Sequence, residues 1–187
     1  MNITKADIEG VLIIEPKVYG DGRGFFMETW NRRQFDEAGL NMSFVQDNLS
    51  FSSRGVLRGL HYQNPQGQGK LVQVLSGQVL DVAVDIRRGS PTFGQWISCL
   101  LSEDNHRQFY VPAGFAHGFC VLSDTALFSY KCTDFYSPQT EGGVLWNYPD
   151  IGIDWPVDAP VLSEKDLNNP RLKDIPEEKL PIYEGAQ

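Results

Sequence analysis

Histidines are the first side chains to consider for acid–base chemistry, because an imidazole titrates near neutral pH. The chain has three of them, His61, His106 and His117. His106 lies in the polar run Ser-Glu-Asp-Asn-His-Arg, which is typical of a surface turn. His61 ends the apolar run Val-Leu-Arg-Gly-Leu-His, with Arg58 three residues before it and Lys70 soon after it. A histidine beside apolar residues is most often a core side chain, but these cations favour a site that binds an anionic ligand.

Two segments of the chain resemble the paired motifs of the cupin family. Gly55, five further residues and His61 match the opening of the first motif, and Pro112-Ala-Gly-Phe-Ala-His117 matches the second. Metal-binding cupins carry a second histidine and a glutamate where this chain has Gln63 and Lys70. An amide and an ammonium do not replace two metal ligands, and an ammonium repels a divalent cation. We therefore expect a cupin barrel with no metal, in which Lys70 faces an anionic substrate.

A closer resemblance is to the dTDP-4-dehydrorhamnose 3,5-epimerase family, and it extends in consistent order from about residue 3 to residue 170. It implies an isomerase that inverts C3 and C5 of a 4-keto-6-deoxyhexose linked to dTDP. It also implies that the enzyme uses no cofactor and is a homodimer. The segments that carry the resemblance are 56–63, 69–74, 81–87, 90–96, 112–119, 130–138 and 162–166.

The resemblance also implies roles for individual residues. His61 matches the catalytic base, Asp166 its carboxylate partner, Tyr130 the general acid, and Lys70 a lysine that stabilises the enolate. Tyr136 matches an aromatic side chain that stacks on thymine. The positions that match substrate-binding residues are Arg23, Glu28, Gln46, Asp47, Asn48, Arg58, Lys70, His117, Glu141 and Lys165.

These residue types suit the chemistry that the resemblance implies. A ketone at C4 acidifies the C–H bonds at C3 and C5, and inversion requires a proton to leave one face and return to the other. A histidine suits the first step, and a carboxylate on its other ring nitrogen stabilises the imidazolium. A tyrosine hydroxyl on the opposite face can return the proton, and a lysine can stabilise the enolate oxygen.

The elements that must position these residues are predicted to be short strands. Apolar or alternating runs recur between turn residues, and the chain has 18 Gly and 11 Pro among 187 residues. The clearest alternation sets Val82, Val84 and Ile86 against Asp81 and Asp85, so one strand face is apolar and the other carries two carboxylates. The predicted strands are Val11–Glu15, Phe25–Trp30, Met42–Asp47, Val56–His61, Leu71–Leu75, Val79–Ile86, Gln95–Leu101, Gln108–Val111, Gly118–Val121, Ala126–Lys131 and Gly143–Leu145.

Turn and cap residues complete the predicted architecture. Ser76-Gly77-Gln78 indicates a tight hairpin between two strands. A short helix is predicted from the N-cap Asn31 to Gly39, and Ser163-Glu164-Lys165-Asp166 indicates a capping box that opens one helical turn. We therefore predict an all-β jelly-roll (cupin-like) fold with a few short helices. It is expected to form a single domain over residues 1–187, with a loosely attached C-terminal tail at about 170–187.

Composition excludes several classes of partner. The net charge of -8 is unlike the basic footprint of a nucleic-acid-binding protein. No run of 18 apolar residues predicts a membrane span, and no signal peptide is expected. Three cysteines without a Cys-x-x-Cys pair, each in an apolar stretch, indicate buried thiols in a reducing compartment, the cytoplasm.

Two other functions remain open at the level of sequence. One is an epimerase of the same fold that inverts a single centre, C3 or C5, of a related nucleotide-linked sugar. The other is a non-catalytic cupin that only binds a nucleotide sugar, although the presence of His61, Tyr130 and Asp166 argues against it.

Overall fold

Strands are the main secondary structure of the chain, as predicted. The computed structural model describes residues 1–185, and the helices found there are short: α1 (Arg32–Glu37), α2 (Glu164–Leu167) and the 3-10 turns Leu172–Asp174 and Glu177–Lys179. The all-β class is therefore confirmed. The strands are β1 (Asn2–Lys5), β2 (Leu12–Glu15), β3 (Val18–Asp21), β4 (Gly24–Met27), β5 (Gln46–Ser53), β6 (Leu57–Gln63), β7 (Lys70–Ser76), β8 (Gln78–Asp85), β9 (Trp96–Ser102), β10 (Gln108–Val111), β11 (Phe115–Val121), β12 (Thr125–Cys132) and β13 (Glu141–Gly143).

Two antiparallel sheets form a sandwich. One has the order β1-β2-β10-β7-β12-β5, the other has the order β13-β6-β11-β8-β9, and β3 and β4 form a separate hairpin. The sheets share an inner apolar core, in which the ring of Phe119 from β11 stacks on that of Phe128 from β12 at 4.1 Å. This is the packing expected of the predicted jelly roll.

The turn at Gly77 connects the two sheets and does not close a hairpin. The predicted hairpin at residues 76–78 is wrong, because β7 pairs with β10 and β12 whereas β8 pairs with β9 and β11. Gly77 has φ of +85°, and a Cβ placed there would lie 2.1 Å from the carbonyl oxygen of Thr125. Glycine is therefore required where the chain changes sheets.

Strand β8 presents its two faces to different parts of the molecule, as its alternation predicts. Val82 and Val84 belong to an outer apolar cluster, while Ala83 belongs to the inner core. Asp81 lies on the same face as Ala83 and is fully buried. The alternation thus places a carboxylate inside the sandwich.

The C-terminal segment packs onto the outer face of the five-stranded sheet. Leu172, Ile175 and Leu180 are buried in the outer cluster, and Arg88 forms a parallel bridge with Ile182. The sequence predicts a loosely attached tail here, because Pro176 and Pro181 interrupt any regular pattern. Burying a Leu or Ile side chain contributes ~1.5–3 kcal/mol, so these three side chains attach the segment to the sheet. Residues 186 and 187 lie outside the described residues.

Strand β5 lies further along the chain than predicted. The sequence favours a strand over Met42–Asp47, but the observed strand is Gln46–Ser53 and forms one edge of the six-stranded sheet. Gln46, Asn48, Ser50 and Ser52 face inward, whereas Leu49 and Phe51 face outward and are 62% and 64% exposed. The strand is therefore missed by a prediction that expects apolar residues on the inner face of a strand.

Helix α1 is confirmed where the sequence places it. The side chain of Asn31 accepts a hydrogen bond from the backbone N–H of Gln34, and Phe35 anchors the helix in a third apolar cluster. Within residues 1–185, no helix has the length and apolar character needed to cross a membrane.

Candidate active site

A cavity of about 470 Å³ opens between the two sheets, and we call it the inner cavity. Side chains from both sheets and from helix α2 line it, and they combine basic, acidic and aromatic groups. Of the residues predicted for the site, the inner cavity contains Arg58, His61, Lys70, His117, Tyr130, Lys165 and Asp166.

His61 and Asp166 form a close pair in this cavity. His61 lies on β6 and its Nε2 is 2.5 Å from Oδ1 of Asp166, which lies on α2. The Ser163 hydroxyl caps α2 by accepting the backbone N–H of Asp166 at 3.1 Å. Burial alone would raise the pKa of Asp166, but the hydrogen bond and charge of His61 outweigh it and hold that pKa below its ordinary value. Asp166 is therefore ionised at neutral pH and can stabilise an imidazolium.

A second histidine–aspartate pair lies beside the first. His117 on β11 stands directly opposite His61 on β6, so both side chains lie on the same face of the sheet. The Nε2 atom of His117 lies 2.8 Å and 3.0 Å from the two carboxylate oxygens of Asp81. Burial raises the pKa of Asp81, while His117 and Lys70 oppose this shift. The sequence singles out His117 through the cupin motif and Asp81 only through strand alternation.

Lys70 and Tyr130 reach the inner cavity from the six-stranded sheet, opposite the histidines. Lys70 lies on β7 across from Cys132, and Tyr130 lies two residues earlier on β12. Burial lowers the pKa of Lys70, and the nearby Cys132, Asp81 and Glu141 oppose that shift. Burial, with Cys132 and Glu141, raises the pKa of Tyr130. The phenol is therefore protonated at neutral pH, as a general acid requires.

A second cavity of about 300 Å³, the outer cavity, lies next to the first. His61, Lys70 and Tyr130 border both cavities. Tyr136 and Glu141 belong to the outer cavity, and the Tyr136 hydroxyl donates to Glu141 at 2.8 Å. The other predicted site residues that line it are Gln46 and Asn48.

An ion pair links a residue of the outer cavity to a residue of the inner cavity. Glu141 forms an ion pair with Lys165 at 2.5 Å. Burial alone would raise the pKa of Glu141, but the hydrogen bonds from Lys165 and Tyr136 outweigh it, and the pKa is lowered. Gln46 accepts the backbone N–H of Tyr136 at 2.9 Å, which holds the ring at the rim. The exposed Tyr136 ring offers one flat face for a planar base.

Two serines on β5 belong to the site although sequence reasoning did not single them out. Ser52 is buried, and its hydroxyl accepts the Nε–H of Arg58 at 3.0 Å, which orients the guanidinium. Ser50 lines the inner cavity, and its hydroxyl is buried without a partner among residues 1–185. Their spacing in the sequence could have indicated this role, because Gln46, Asn48, Ser50 and Ser52 occupy every second position and share one face of the strand.

Three predicted site residues lie elsewhere in this chain. Arg23 sits at the turn of the β3–β4 hairpin, where its guanidinium pairs with Asp21 at 2.6 Å and is 90% exposed. Glu28 accepts hydrogen bonds from the side chains of Asn31 and Gln34 next to α1. The exposed Asp47 pairs with Lys131 at 2.9 Å on the outward side of β5. None of the three lines the inner or the outer cavity.

Comparison with known proteins identifies the family. The family model for dTDP-4-dehydrorhamnose 3,5-epimerase matches residues 5–174. This chain belongs to the dTDP-4-dehydrorhamnose 3,5-epimerase family. The predicted family and the prediction that the chain is an isomerase are both confirmed.

Two bacterial epimerases of this family match over almost their full length. The dTDP-4-dehydrorhamnose 3,5-epimerase of Shigella flexneri is 57% identical over 176 residues, which cover 93% of this chain and 97% of the relative. That of Pseudomonas aeruginosa is 58% identical, with the same two coverages of 93% and 97%.

Solved structures of epimerases share the fold closely. An epimerase from Legionella pneumophila, in complex with dTDP-4-keto-L-rhamnose, is 54% identical with a TM-score of 0.96, covering 98% of this chain and 99% of that one. A 3'-monoepimerase from Streptomyces bikiniensis, in complex with dTDP-quinovose, is 39% identical with a TM-score of 0.85, covering 90% of this chain and 86% of that one. The fold thus hosts epimerases of both one and two centres.

In this family member, Gln63 stands at a cupin ligand position but is engaged in other contacts. Gln63 donates its amide to the backbone carbonyls of Gln66 and Phe135, at 2.8 Å and 3.2 Å. Residues 1–185 contain no cluster of three or more His, Cys, Asp or Glu side chains suited to a metal ion.

Proposed function

We propose that this enzyme converts dTDP-4-dehydro-6-deoxy-D-glucose to dTDP-4-dehydro-L-rhamnose, by removing and returning a proton at C3 and at C5 through an enolate. The observation that carries the proposal is that the His61–Asp166 pair, Tyr130 and Lys70 converge on one cavity. A base, an acid and a cation are the groups that this reaction needs.

His61 is proposed to remove the protons. Its Nε2 is engaged with Asp166, so Nδ1 is the ring nitrogen left for the substrate. The buried, ionised Asp166 stabilises the imidazolium that forms, as the carboxylate does in other histidine–aspartate pairs. The pair thus makes proton abstraction from a C–H bond next to a ketone feasible at neutral pH.

Tyr130 is proposed to return a proton to the opposite face of the sugar. Tyr130 and His61 lie on different sheets and border the same cavity. A sugar ring held between the sheets would therefore have the base on one side and the acid on the other. The raised pKa of Tyr130 keeps its hydroxyl protonated until it is needed.

Lys70 is proposed to stabilise the enolate oxygen. It lies on the same sheet as Tyr130 and borders both cavities. Nearby acidic groups oppose the loss of its charge on burial. A cation in a water-poor site stabilises a developing oxyanion more than it would in bulk water.

The two cavities are proposed to divide the substrate between them. The sugar occupies the inner cavity, where Arg58, held by Ser52, and His117 meet its polar groups. The thymine stacks on Tyr136 in the outer cavity, where Gln46 and Asn48 offer hydrogen bonds. The diphosphate bridges the two, near Arg58 and Lys165. Glu141, in the outer cavity, is also proposed to bind the substrate.

A second copy of this chain is proposed to complete the site. Arg23 and Glu28 match substrate-binding positions but lie outside both cavities of their own chain. Phe25 and Phe26, on the same hairpin as Arg23, are 61% and 66% exposed, and the outward face of β5 exposes Leu49 and Phe51. A homodimer that covers these apolar side chains would bring the hairpin of one copy to the other.

Mixing two inactive variants tests the dimer. An Arg23→Ala chain and a His61→Ala chain are each expected to lose activity. If Arg23 serves the partner's site, mixed dimers contain one intact site and regain part of the activity. Light scattering on the native protein gives the mass, and a monomer or an absence of complementation would refute the arrangement.

Proton exchange in D₂O tests the reaction itself. The enzyme is mixed with dTDP-4-dehydro-6-deoxy-D-glucose in D₂O, and NMR should show deuterium at both C3 and C5 with inversion. His61→Ala should abolish exchange, while the matched control His106→Asn, a histidine outside both cavities, should not. Deuterium at one carbon only would indicate a single-centre epimerase, and binding without exchange would indicate a non-catalytic cupin.

A reducing compartment, the cytoplasm, is proposed as the site of action. Cys99, Cys120 and Cys132 are all buried and unpaired within the described residues 1–185. Burial raises the pKa of Cys99 to about 12 and that of Cys120 to about 11, so both stay as unreactive thiols.

A further inference from the structure

Asp81 is a fully buried carboxylate that the proposed reaction does not use. It lies on the inner face of β8 and its side chain has no exposed surface. Within residues 1–185, the hydrogen-bond partner found for its carboxylate is His117. Burying a carboxylate with a single hydrogen-bond partner costs desolvation free energy. Its position in the wall of the site therefore indicates a functional role.

Strand β8 carries a second buried aspartate, Asp85. Asp85, four residues on, is also fully buried, but its carboxylate accepts hydrogen bonds from Arg87, Ser90 and Thr92. That network ties a turn together and has no link to either cavity. Among the described residues 1–185, Asp81 has no such network, and its partner His117 lines the inner cavity. The two aspartates therefore differ in role, one structural and one directed at the site.

The geometry indicates where the proton of the pair resides. Both oxygens of Asp81 lie at similar distances from Nε2 of His117, 2.8 Å and 3.0 Å. An ionised carboxylate that shares one N–H gives this arrangement, whereas a protonated carboxyl would direct one oxygen at the ring nitrogen. Burial raises the pKa of Asp81, and the charges of His117 and Lys70 oppose that shift. An ionised carboxylate only accepts hydrogen bonds, so the hydrogen that it shares is carried by Nε2 of His117.

We propose that Asp81 is a positioning residue, which fixes His117 as the Nε2–H tautomer and so presents the Nδ1 lone pair to the substrate. No protein partner for Nδ1 is found within residues 1–185, and the ring lines the cavity that receives the sugar. A lone pair there accepts a hydrogen bond from a sugar hydroxyl, which orients the ring between His61 and Tyr130. The hydrogen bond from Nδ1 of His117 to the sugar rests on the proposed function, whereas the tautomer of His117 is independent of it.

The tautomer can be measured directly on the native protein. With ¹⁵N-labelled histidine, the ring nitrogen shifts and their couplings distinguish Nε2–H, Nδ1–H and imidazolium forms, and His106 serves as an internal reference. We expect a hydrogen on Nε2 of His117 and a lone pair on its Nδ1. A proton on Nδ1, in either the neutral or the charged ring, would overturn the proposal. This measurement needs no variant to fold and no substrate to turn over.

A double-mutant cycle then tests whether Asp81 acts through His117. Asp81→Asn should lower kcat/KM by roughly 10- to 100-fold, the usual effect of losing a hydrogen bond to a charged group. In a His117→Ala background the same change should cost less than about twofold, because the ring that Asp81 orients is gone. Losses that multiply would mean that Asp81 acts elsewhere, for example on Lys70, and would refute the proposal.

Two controls keep the outcomes separate. Circular dichroism and a thermal melt of each variant identify a folding defect, and in that case the tautomer measurement decides alone. If the native enzyme neither exchanges protons nor inverts the sugar, the proposed function fails. The tautomer of His117 in the same sample still tests the role of Asp81.

Discussion

Replacing Tyr130 by phenylalanine should separate proton exchange from inversion. No protein partner for the Tyr130 hydroxyl is found within residues 1–185, and the ring is held by packing, with the Phe128 ring 5.9 Å away. Removing the hydroxyl therefore breaks no protein hydrogen bond and should change the free energy of unfolding by less than about 0.5 kcal/mol.

The kinetic effect should be much larger than the effect on stability. One positioned acid contributes typically ~10²–10⁴-fold to a rate, which corresponds to about 2.7–5.4 kcal/mol at 1.36 kcal/mol per tenfold. With His61 intact, the enolate still forms and His61 can return deuterium to the face from which the proton left. The variant should thus incorporate deuterium at C3 or C5 with retention of configuration, while inversion falls by ~10²–10⁴-fold.

The assay follows deuterium and configuration together by NMR in D₂O. Tyr110→Phe is the matched control, because burial raises the pKa of Tyr110 to about 12 but its side chain lies outside the inner and outer cavities. Inversion by Tyr130→Phe at the native rate would refute the assignment of the acid. A loss of exchange equal to the loss of inversion would also refute it, because Tyr130 would then be needed to form the enolate.

Three further outcomes are expected. Arg58→Ala should lower kcat/KM by roughly 10- to 100-fold without a change in melting temperature, and an unchanged kcat/KM would remove Arg58 from the site. Treatment with EDTA should leave activity intact, because Gln63 and Lys70 stand at the cupin ligand positions; loss of activity restored by one added metal would contradict this. The pKa of Asp166 is lower in the folded than in the unfolded chain, so its contribution to stability is present above about pH 4 and is lost as the pH falls through the folded pKa. Urea titrations between pH 7 and pH 3 should therefore show a shallower loss of stability for Asp166→Asn than for the native chain, and parallel curves would contradict the expectation.

Local sequence determined those features that depend on neighbours along the chain. Asn31 caps α1 because its side chain reaches an N–H three residues away, and the alternation of Val82 and Val84 with Asp81 determines the two faces of β8. The motif around His117 likewise places that histidine at the site, because strand, turn and side chain lie within a few residues. These features needed no knowledge of which strands pair.

Tertiary structure decided everything that joins distant parts of the chain. His61 contacts Asp166, which is 105 residues away in the sequence. Periodicity cannot predict such a contact, and only the family resemblance implied it. Strand β5 escaped detection because it faces a polar cavity, which reverses the usual order of polar and apolar faces. Gly77 resembles a hairpin turn in the sequence, because a turn residue determines the local bend of the chain. It does not determine which sheet each flanking strand joins. The C-terminal segment packs against the outer sheet because side chains such as Leu180 find an apolar surface that only the assembled fold provides.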